Sequence, residues 1–448
     1  MNKKFAVELN KRKFSSNTNV IYSKMKVNIP ETSNKRVVII GAGFAGLAVV
    51  KKLKNKPVQV VLIDKNNYHT FQPLLYQLAT GGLESNSIAY PIRRIIKKGK
   101  NLFYRMAEVT RILPQQNLIE TSIGDLAYDY LIIASGSSPN FYNMESKKDK
   151  LLVLKTIPQA LDMRSFIIQN FESALLAESS ETEEEFLNLV IVGGGPTGVE
   201  LAGALAEMKK FILPAEYPEI DFSKMHIYLI EASERLLSAM SVHASAKAFI
   251  YLKKLGIKVH LKSIVNNYDE KYIYYNENEK ILSETIIWTA GVKGNIINGL
   301  PDNAIKANRI QVNQFNQVIS CQNIFAIGDT ALMTSDEYPK GHPMLATVAI
   351  QQGRTTAKNI LKSISSLPMN PFYYFDKGSM ATVGKNKAVA DLRVLKLSGF
   401  IAWFIWMFIH IVSIAGFRNR IVIFTDWIWN YFTYERALRL IIRPVKKN

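Results

Sequence analysis

The chain has 448 residues, 48% hydrophobic and 21% charged, with a formal net charge of +19, a balance that describes two or three folded domains rather than a disordered polymer. Its single cysteine, Cys321, excludes an internal disulfide, a CxxC redox centre and a cysteine-held cluster, and six histidines without HxxxH or HExxH spacing argue against a metal. The positive charge asks for an acidic partner: no zinc-finger or RNP pattern supports nucleic acid, whereas eleven Lys and Arg against three acids from Lys385 onward favour an anionic membrane surface.

Residues 1–34 are polar and basic and lack the apolar run of a secretory signal. They read as a disordered leader with no role in the fold, and Met25 offers a second translation start. From Lys35 the pattern is a strand at Val37–Ile40, a helix at Phe44–Leu53 and a strand at Val58–Ile63 ending on Asp64. Continuous apolar strands alternating with helices imply a parallel sheet covered on both faces. The segment to about residue 150 closes on "YDYLIIASGSSPN", an apolar strand and a small-residue turn. The charged stretch "AESSETEEEF" reads as a linker. After it, "LNLVIVGGGPTGVELAGALAE", the strand "HIYLIEA" ending in Glu231, and the close "ETIIWTAGV" repeat the earlier plan. Next come "NIFAIGDTA", a helix from about Pro343 to Leu361 and strands between Asn370 and Asp391. The apolar run "SGFIAWFIWMFIHIVSIAGF" at 398–417 and a last aromatic, basic helix finish the chain.

The loop Gly41, Ala42, Gly43, Phe44, Ala45, Gly46 follows a strand, opens a helix and has Asp64 twenty-three residues after Gly41. The first glycine permits a tight turn, the second lets a pyrophosphate approach the backbone, and the third lets helix and strand pack closely. The helix N-terminus offers free N–H groups to phosphates, and Asp64 can accept from ribose hydroxyls. The second loop, Gly193, Gly195 and Gly198, has the same context and ends at Glu231. That carboxylate would repel a 2′-phosphate, so NADH is expected over NADPH, with Arg235 nearby as the contrary signal. Asp329, at the end of the strand "IFAIGD", is placed to bind the ribityl chain of a flavin.

The order GAGFAG, ASG, GGGPTG, AG, IFAIGD resembles the two-dinucleotide-domain flavoproteins. More narrowly, "NNYHTFQPLLYQLATGGLE" (67–85), "PMLATVAIQQGRTTAKN" (343–359) and the apolar tail resemble the type II NADH:quinone oxidoreductases over about residues 35–445. The fold class implied is α/β, with tandem Rossmann-like domains for FAD and NADH and a C-terminal membrane-anchoring helical region. The domains are 35–150 and 285–391 for FAD, 151–284 for NADH and 392–448 for the anchor. The resemblance implies that Asp64, Lys65, Val109, Gly136, Asp329, Ala349 and Lys385 serve cofactor binding, and that Gly291 joins the second loop. It implies a catalytic Glu200 near flavin and nicotinamide, linked to quinone reduction and proton delivery. A helix starting at Pro343 would point its positive end at the flavin. It also implies a quinone motif at Ala346, Thr347, Gln351 and Gln352, where Thr347 departs from the family's usual glutamine.

Four of five tryptophans lie in the last fifty residues, interleaved with arginines, which marks a membrane interface. The tail is expected to lie in one leaflet and bind lipid, bringing the chain to a membrane quinone on the cytoplasmic face of a bacterial inner membrane, with the mitochondrial inner membrane as second choice. A homodimer is left open. Disulfide reductases and sulfide:quinone reductases need cysteines that the chain lacks. A sensory, redox-inactive flavoprotein at a membrane, or a flavin reductase with another acceptor, stays as the alternative.

Overall fold

The structure, a computed structural model, describes residues 27–97, 99–433, 440–441 and 444–445. Met25 and the rest of residues 1–26 lie outside them, as do Arg436, Arg439, Arg443, Lys446 and Lys447 of the basic C-terminus. The expected leader boundary at residue 34 is too late. Val27 and Ile29 are buried in the first core, Val27 N–H bonds the Asp125 carbonyl at 3.1 Å, and the Gln59 amide donates to the Pro30 carbonyl at 2.7 Å.

Two parallel five-stranded sheets carry the molecule. The first runs in the order Ile324–Ala326, Tyr130–Ile133, Arg36–Ile40, Gln59–Asp64, Leu102–Met106. The second runs Leu152–Val153, Thr285–Trp288, Leu189–Val192, Ile227–Ile230, Lys258–His260. Their central strands are buried on both faces, which is why "RVVII" and "LVIV" are apolar without alternation. Each unit also carries a three-stranded antiparallel meander, at Val109–Leu113 to Gly124–Ala127 and at Val265–Tyr268 to Glu279–Leu282. The repeated plan read from the sequence is therefore present in the topology.

Several boundaries differ from expectation. Thr285–Trp288 is wholly buried between Leu189–Val192 and Leu152–Val153, so the second unit runs through Trp288 and does not stop at 284. The return to the first unit comes with Val292–Gly294, which pairs with Ser137–Pro139. The charged "linker" contains a helix, Ser180–Leu187, because the Ser179 hydroxyl caps Thr182 N–H at 3.2 Å and Glu181 and Glu183 sit at its positive end. The helix expected from Pro343 is Ala346–Ile364, with Leu345 at the position before its first turn, so Pro343 is not its first residue.

The tail differs most. The 398–417 run is divided among the strand Lys396–Gly399, the helix Phe400–Ser413 and the start of the helix Phe417–Thr433. Gly416 turns the chain between the helices at φ +90°, where a Cβ would overlap the Tyr90 ring. A 14-residue helix reaches only about 21 Å, short of the ~30 Å hydrocarbon layer. Among the described residues no helix is long and apolar enough to cross a membrane.

Each tail helix has two apolar faces. Trp406, Ile414, Ile423 and Trp427 are buried in the core that holds Leu75, Leu78, Leu201 and Leu205. Ile401, Phe404, Phe408 and Val412, then Phe417, Ile421, Phe424 and Ile428, recur at helical spacing on the exposed side. The docked side is specified by polar contacts. Trp427 Nε1–H donates to Gln77 Oε1 at 2.8 Å, and the Asn419 amide reaches the carbonyls of Asn86, Ser87 and Ala89 at 3.1, 3.0 and 3.0 Å.

Asn419→Ala leaves those carbonyls without their donor, at a cost of about 1–3 kcal/mol. Limited proteolysis should then cut the tail faster than in the wild type while the sheets stay intact; unchanged cleavage would show that Asn419 does not hold the tail.

Candidate functional site

The two glycine loops have the same internal geometry. A Cβ on Gly46 would overlap the Gly41 carbonyl, and one on Gly198 would overlap the Gly193 carbonyl, so the third glycine of each loop serves close packing of turn and helix. A Cβ on Gly43 or Gly195 would meet nothing within 4 Å. The chain itself does not need those two glycines. The open space lies at the N-terminus of a helix in both cases, Phe44–Leu53 and Pro196–Phe211, where unpaired N–H groups suit a pyrophosphate. This is the fit that FAD and NADH require.

The acids lie where the loops need them. Asp64 accepts Ala42 N–H and Asn66 N–H, both at 2.7 Å. Burial raises its pKa and those two amides oppose the rise. Glu231 repeats this with Gly194 N–H at 2.6 Å and Ser233 N–H at 2.7 Å. Lys65 follows Asp64, and Val109 starts a meander three residues beyond Met106, the register partner of Asp64. Arg235 is held within its own turn: its guanidinium donates to the Met240 and Ser238 carbonyls at 2.7 and 2.6 Å and to Ser245 Oγ at 2.8 Å.

Asp329 sits in a turn that packs against the helices Phe44–Leu53 and Ala346–Ile364. A Cβ added at Gly328 would come within 3.4 Å of the Cβ atoms of Ala45 and Ala349, so the turn that carries Asp329 packs beside both. The Ala134–Gly136 turn closes the same edge, held by Asn295 through Ser135. The corresponding turn in the second unit reaches Gly291, anchored by Thr289 Oγ1 on the Val192 and Gly193 carbonyls at 2.9 and 3.0 Å. Two groups here escaped the sequence reading. Lys155 Nζ lies 3.7 Å from Asp329 Oδ2 and donates to Ser137 Oγ at 2.8 Å, and the Ser137 hydroxyl donates to Asp329. Burial lowers the Lys155 pKa and Asp329 opposes it. Nothing local to "LVLKTIPQ" signals a contact with a residue so far along the chain.

Glu200 lies one turn into the Pro196–Phe211 helix and is 8% exposed. Burial pushes its pKa up to about 8. Thr382 N–H, at 3.4 Å from Oε1, and the Trp406 indole, outside strict hydrogen-bond geometry, oppose that rise weakly. The carboxyl faces a cavity of about 110 Å³ together with Tyr76, Lys385, Trp403, Trp406 and Tyr431. Lys385 Nζ donates to the Tyr431 carbonyl and lies 4.0 Å from the centre of its ring. A second buried acid lining the cavity, Glu207, accepts Lys385 N–H.

Ala346, Thr347, Gln351 and Gln352 do not line this cavity. Thr347 Oγ1 pairs with Tyr374 OH at 2.9 Å. The Gln351 amide is held by the Phe375 backbone at 2.9 and 3.0 Å. Gln352, 1% exposed, accepts Gly328 N–H at 2.7 Å and so fixes the turn before Asp329.

The profile described as pyridine nucleotide-disulphide oxidoreductase matches residues 35–353, and that of the NDH2 C-terminal domain matches 377–434. The type II NADH:quinone oxidoreductase of Mycobacterium tuberculosis is 34% identical over 90% of this chain and 89% of its own length. That of Haemophilus influenzae is 31% identical over 80% and 87%. In fold, the chain superposes on the NDH2 of Plasmodium falciparum solved in complex with NADH at a TM-score of 0.84 and 24% identity, over 92% of this chain and all of that one.

The contrast between glycines gives a test. Gly43→Ala should fold with unchanged thermal stability as apoprotein and hold its dinucleotide about tenfold more weakly, a loss of about 1.4 kcal/mol. Gly46→Ala should unfold earlier even without ligand. Equal effects of the two substitutions would contradict these roles.

Proposed function

The chain belongs to the type II NADH:quinone oxidoreductases, and on that premise we propose that it passes a hydride from NADH to FAD and delivers two electrons to a membrane quinone without pumping protons. The balance is NADH, H⁺ and quinone giving NAD⁺ and quinol. Gly41, Gly43, Gly46, Asp64, Asp329 and Ala349 would cradle FAD, which would supply the two-electron carrier between donor and acceptor. Gly193, Gly195, Gly198, Glu231 and Gly291 hold NADH, with Glu231 selecting the free ribose and Arg235 committed elsewhere.

The observation that carries the quinone half is Glu200. A carboxyl with its pKa near 8 stays protonated at neutral pH and can donate at Oε1 or Oε2 to a reduced quinone oxygen. Its cavity is walled by Trp403 and Trp406 from the tail, so an acceptor dissolved in lipid can reach it without crossing open water. Lys385 lines the same cavity, and its ammonium would favour negative charge developing on a quinone oxygen. Thr347, Gln351 and Gln352 act from the flavin side by fixing the turns at Tyr374, Phe375 and Gly328.

The exposed apolar faces of the Phe400–Ser413 and Phe417–Thr433 helices rest in one leaflet, with Arg418 and Arg420 near the anionic headgroups. The finer reading is a peripheral protein on the cytoplasmic face of a bacterial inner membrane, able to form a homodimer.

Two experiments test this. Between its ordinary value and about 8, folded Glu200 keeps a proton that the unfolded chain has lost, so its contribution to stability falls as pH rises through that window. Glu200→Gln should remove this dependence, retain flavin and slow quinone reduction about 10²-fold. In the wild type, quinone turnover should fall as pH rises past about 8. A fully active variant would end the assignment. Separately, Phe404→Ser with Phe408→Ser should lower sedimentation with anionic vesicles and leave NADH oxidation by a water-soluble acceptor unchanged. Undiminished vesicle binding would refute the membrane face.

A further inference from the structure

We propose that Glu207 is a positioning residue for quinone reduction: its carboxyl seats the turn at 382–385 and thereby sets where Lys385 stands in the Glu200 cavity. The inference rests on the reading of that cavity as the quinone site. Glu207 is 8% exposed and lies on the Pro196–Phe211 helix with Glu200. Two helical turns separate the two acids, which puts them on one face, and both line the cavity.

The turn lies along that face. Glu200 Oε1 accepts Thr382 N–H at 3.4 Å at one end, and Glu207 Oε1 accepts Lys385 N–H at the other. Between the acids, a Cβ on Gly203 would come 2.8 Å from the Gly384 nitrogen and 3.1 Å from the Val383 carbonyl carbon. A side chain there would lift the turn off the helix. Gly384 itself has φ +76°, and a Cβ on it would meet Glu207 Oε1 at 2.7 Å. The turn closes on itself through Thr382 Oγ1, which donates to the Gly384 and Lys387 carbonyls at 3.0 and 3.1 Å. Its seat on the helix comes from the two carboxyls and the bare Gly203.

What depends on that seat is the ammonium of Lys385. Its Nζ donates to the Tyr431 carbonyl and lies 4.0 Å from the centre of the Tyr431 ring. That ring in turn lies 5.7 Å from the ring of Trp403. Lys385 is thus held at its backbone by a helix of the second dinucleotide unit and at its tip by the tail. A charge that stabilises a transition state acts best when it is already in place, and a shift of about 1 Å can cost up to about 10²-fold in rate. Seating the turn requires an acceptor oxygen at the reach of Glu207. It does not require a group that ionises, which separates this role from a proton donor like Glu200.

The test follows reoxidation of the NADH-reduced flavin by vesicle quinone in the flavin-loaded full chain. Glu207→Leu, which has no acceptor, should slow reoxidation about tenfold or more. Glu207→Gln, which keeps an oxygen at the same reach and cannot ionise, should restore most of the rate. Lys385→Met should also be slow, and adding Glu207→Leu to it should slow it little further, a coupling that general destabilisation would not produce. Slow reoxidation in Glu207→Gln overturns the proposal, because an ionisable group would then be needed. Wild-type reoxidation in Glu207→Leu beside a slow Lys385→Met, or full additivity of the two, overturns it and leaves the quinone reading of Lys385 standing. Wild-type reoxidation in Lys385→Met ends that reading and the positioning role with it. If Glu207→Leu does not hold flavin, Gly384→Ala takes its place, since the added Cβ would press the turn off Glu207; the same loss is expected, and a wild-type rate overturns the proposal.

Discussion

The docking of the tail and the shape of the Glu200 cavity both depend on the burial of one side chain, the indole of Trp406. It is 2% exposed, stacks on His410 with ring centres 4.0 Å apart and lies against Trp427 at 5.6 Å. A buried indole of this size supplies a few kcal/mol of apolar burial, enough to fasten a short helix to a globular core. It also walls the Glu200 cavity, so the contact that docks the tail is the contact that keeps the carboxyl dry. The one ionisable side chain in the apolar run fits this. His410 Nδ1 pairs with the Trp406 carbonyl at 2.8 Å, and burial pushes its pKa down to about 4, leaving it neutral. From His410 the aromatic packing continues through Phe71 to Phe44, which opens the helix of the first glycine loop.

Chemistry and anchoring are thus one construction. His69, buried in the 67–85 segment, pairs with the Ala42 carbonyl of the first loop at 2.9 Å, while Gln77 and the Asn86–Ala89 carbonyls receive the tail. The stretch from 67 to 89 therefore touches the dinucleotide cradle near one end and the docked helices near the other. A tail that only anchored the protein would not need to line the cavity. A core that only bound nucleotides would not need the exposed apolar faces.

Much of this was legible in the sequence because its signals are local. The glycine spacing, the strand-ending acids and the Phe44–Leu53 helix lie within short windows and obey steric rules that hold without context. What was missed depends on long-range partners. Thr285 looked like a boundary because the strand that makes it central, Leu189–Val192, lies almost a hundred residues earlier. Gly416 looked like part of one helix because the Tyr90 ring it meets is remote. Pro343 carried a helix-start signal that lost to the turn closed by Leu345 N–H on its own carbonyl. Lys155 was missed and Arg235 was ambiguous for the same reason: a cation's role is set by what surrounds it. Asp329 pairs with the first, and backbone carbonyls hold the second.

The measurement that bears most directly on the account follows the flavin itself by rapid mixing. NADH should bleach the flavin absorbance of the intact, detergent-purified chain, and vesicles loaded with a long-tailed quinone should restore it in a second mix, faster than the same quinone dispersed without lipid. A flavin that NADH reduces but vesicle quinone never reoxidises would contradict the coupling of cavity and tail. A chain purified without flavin would contradict the first dinucleotide site as well.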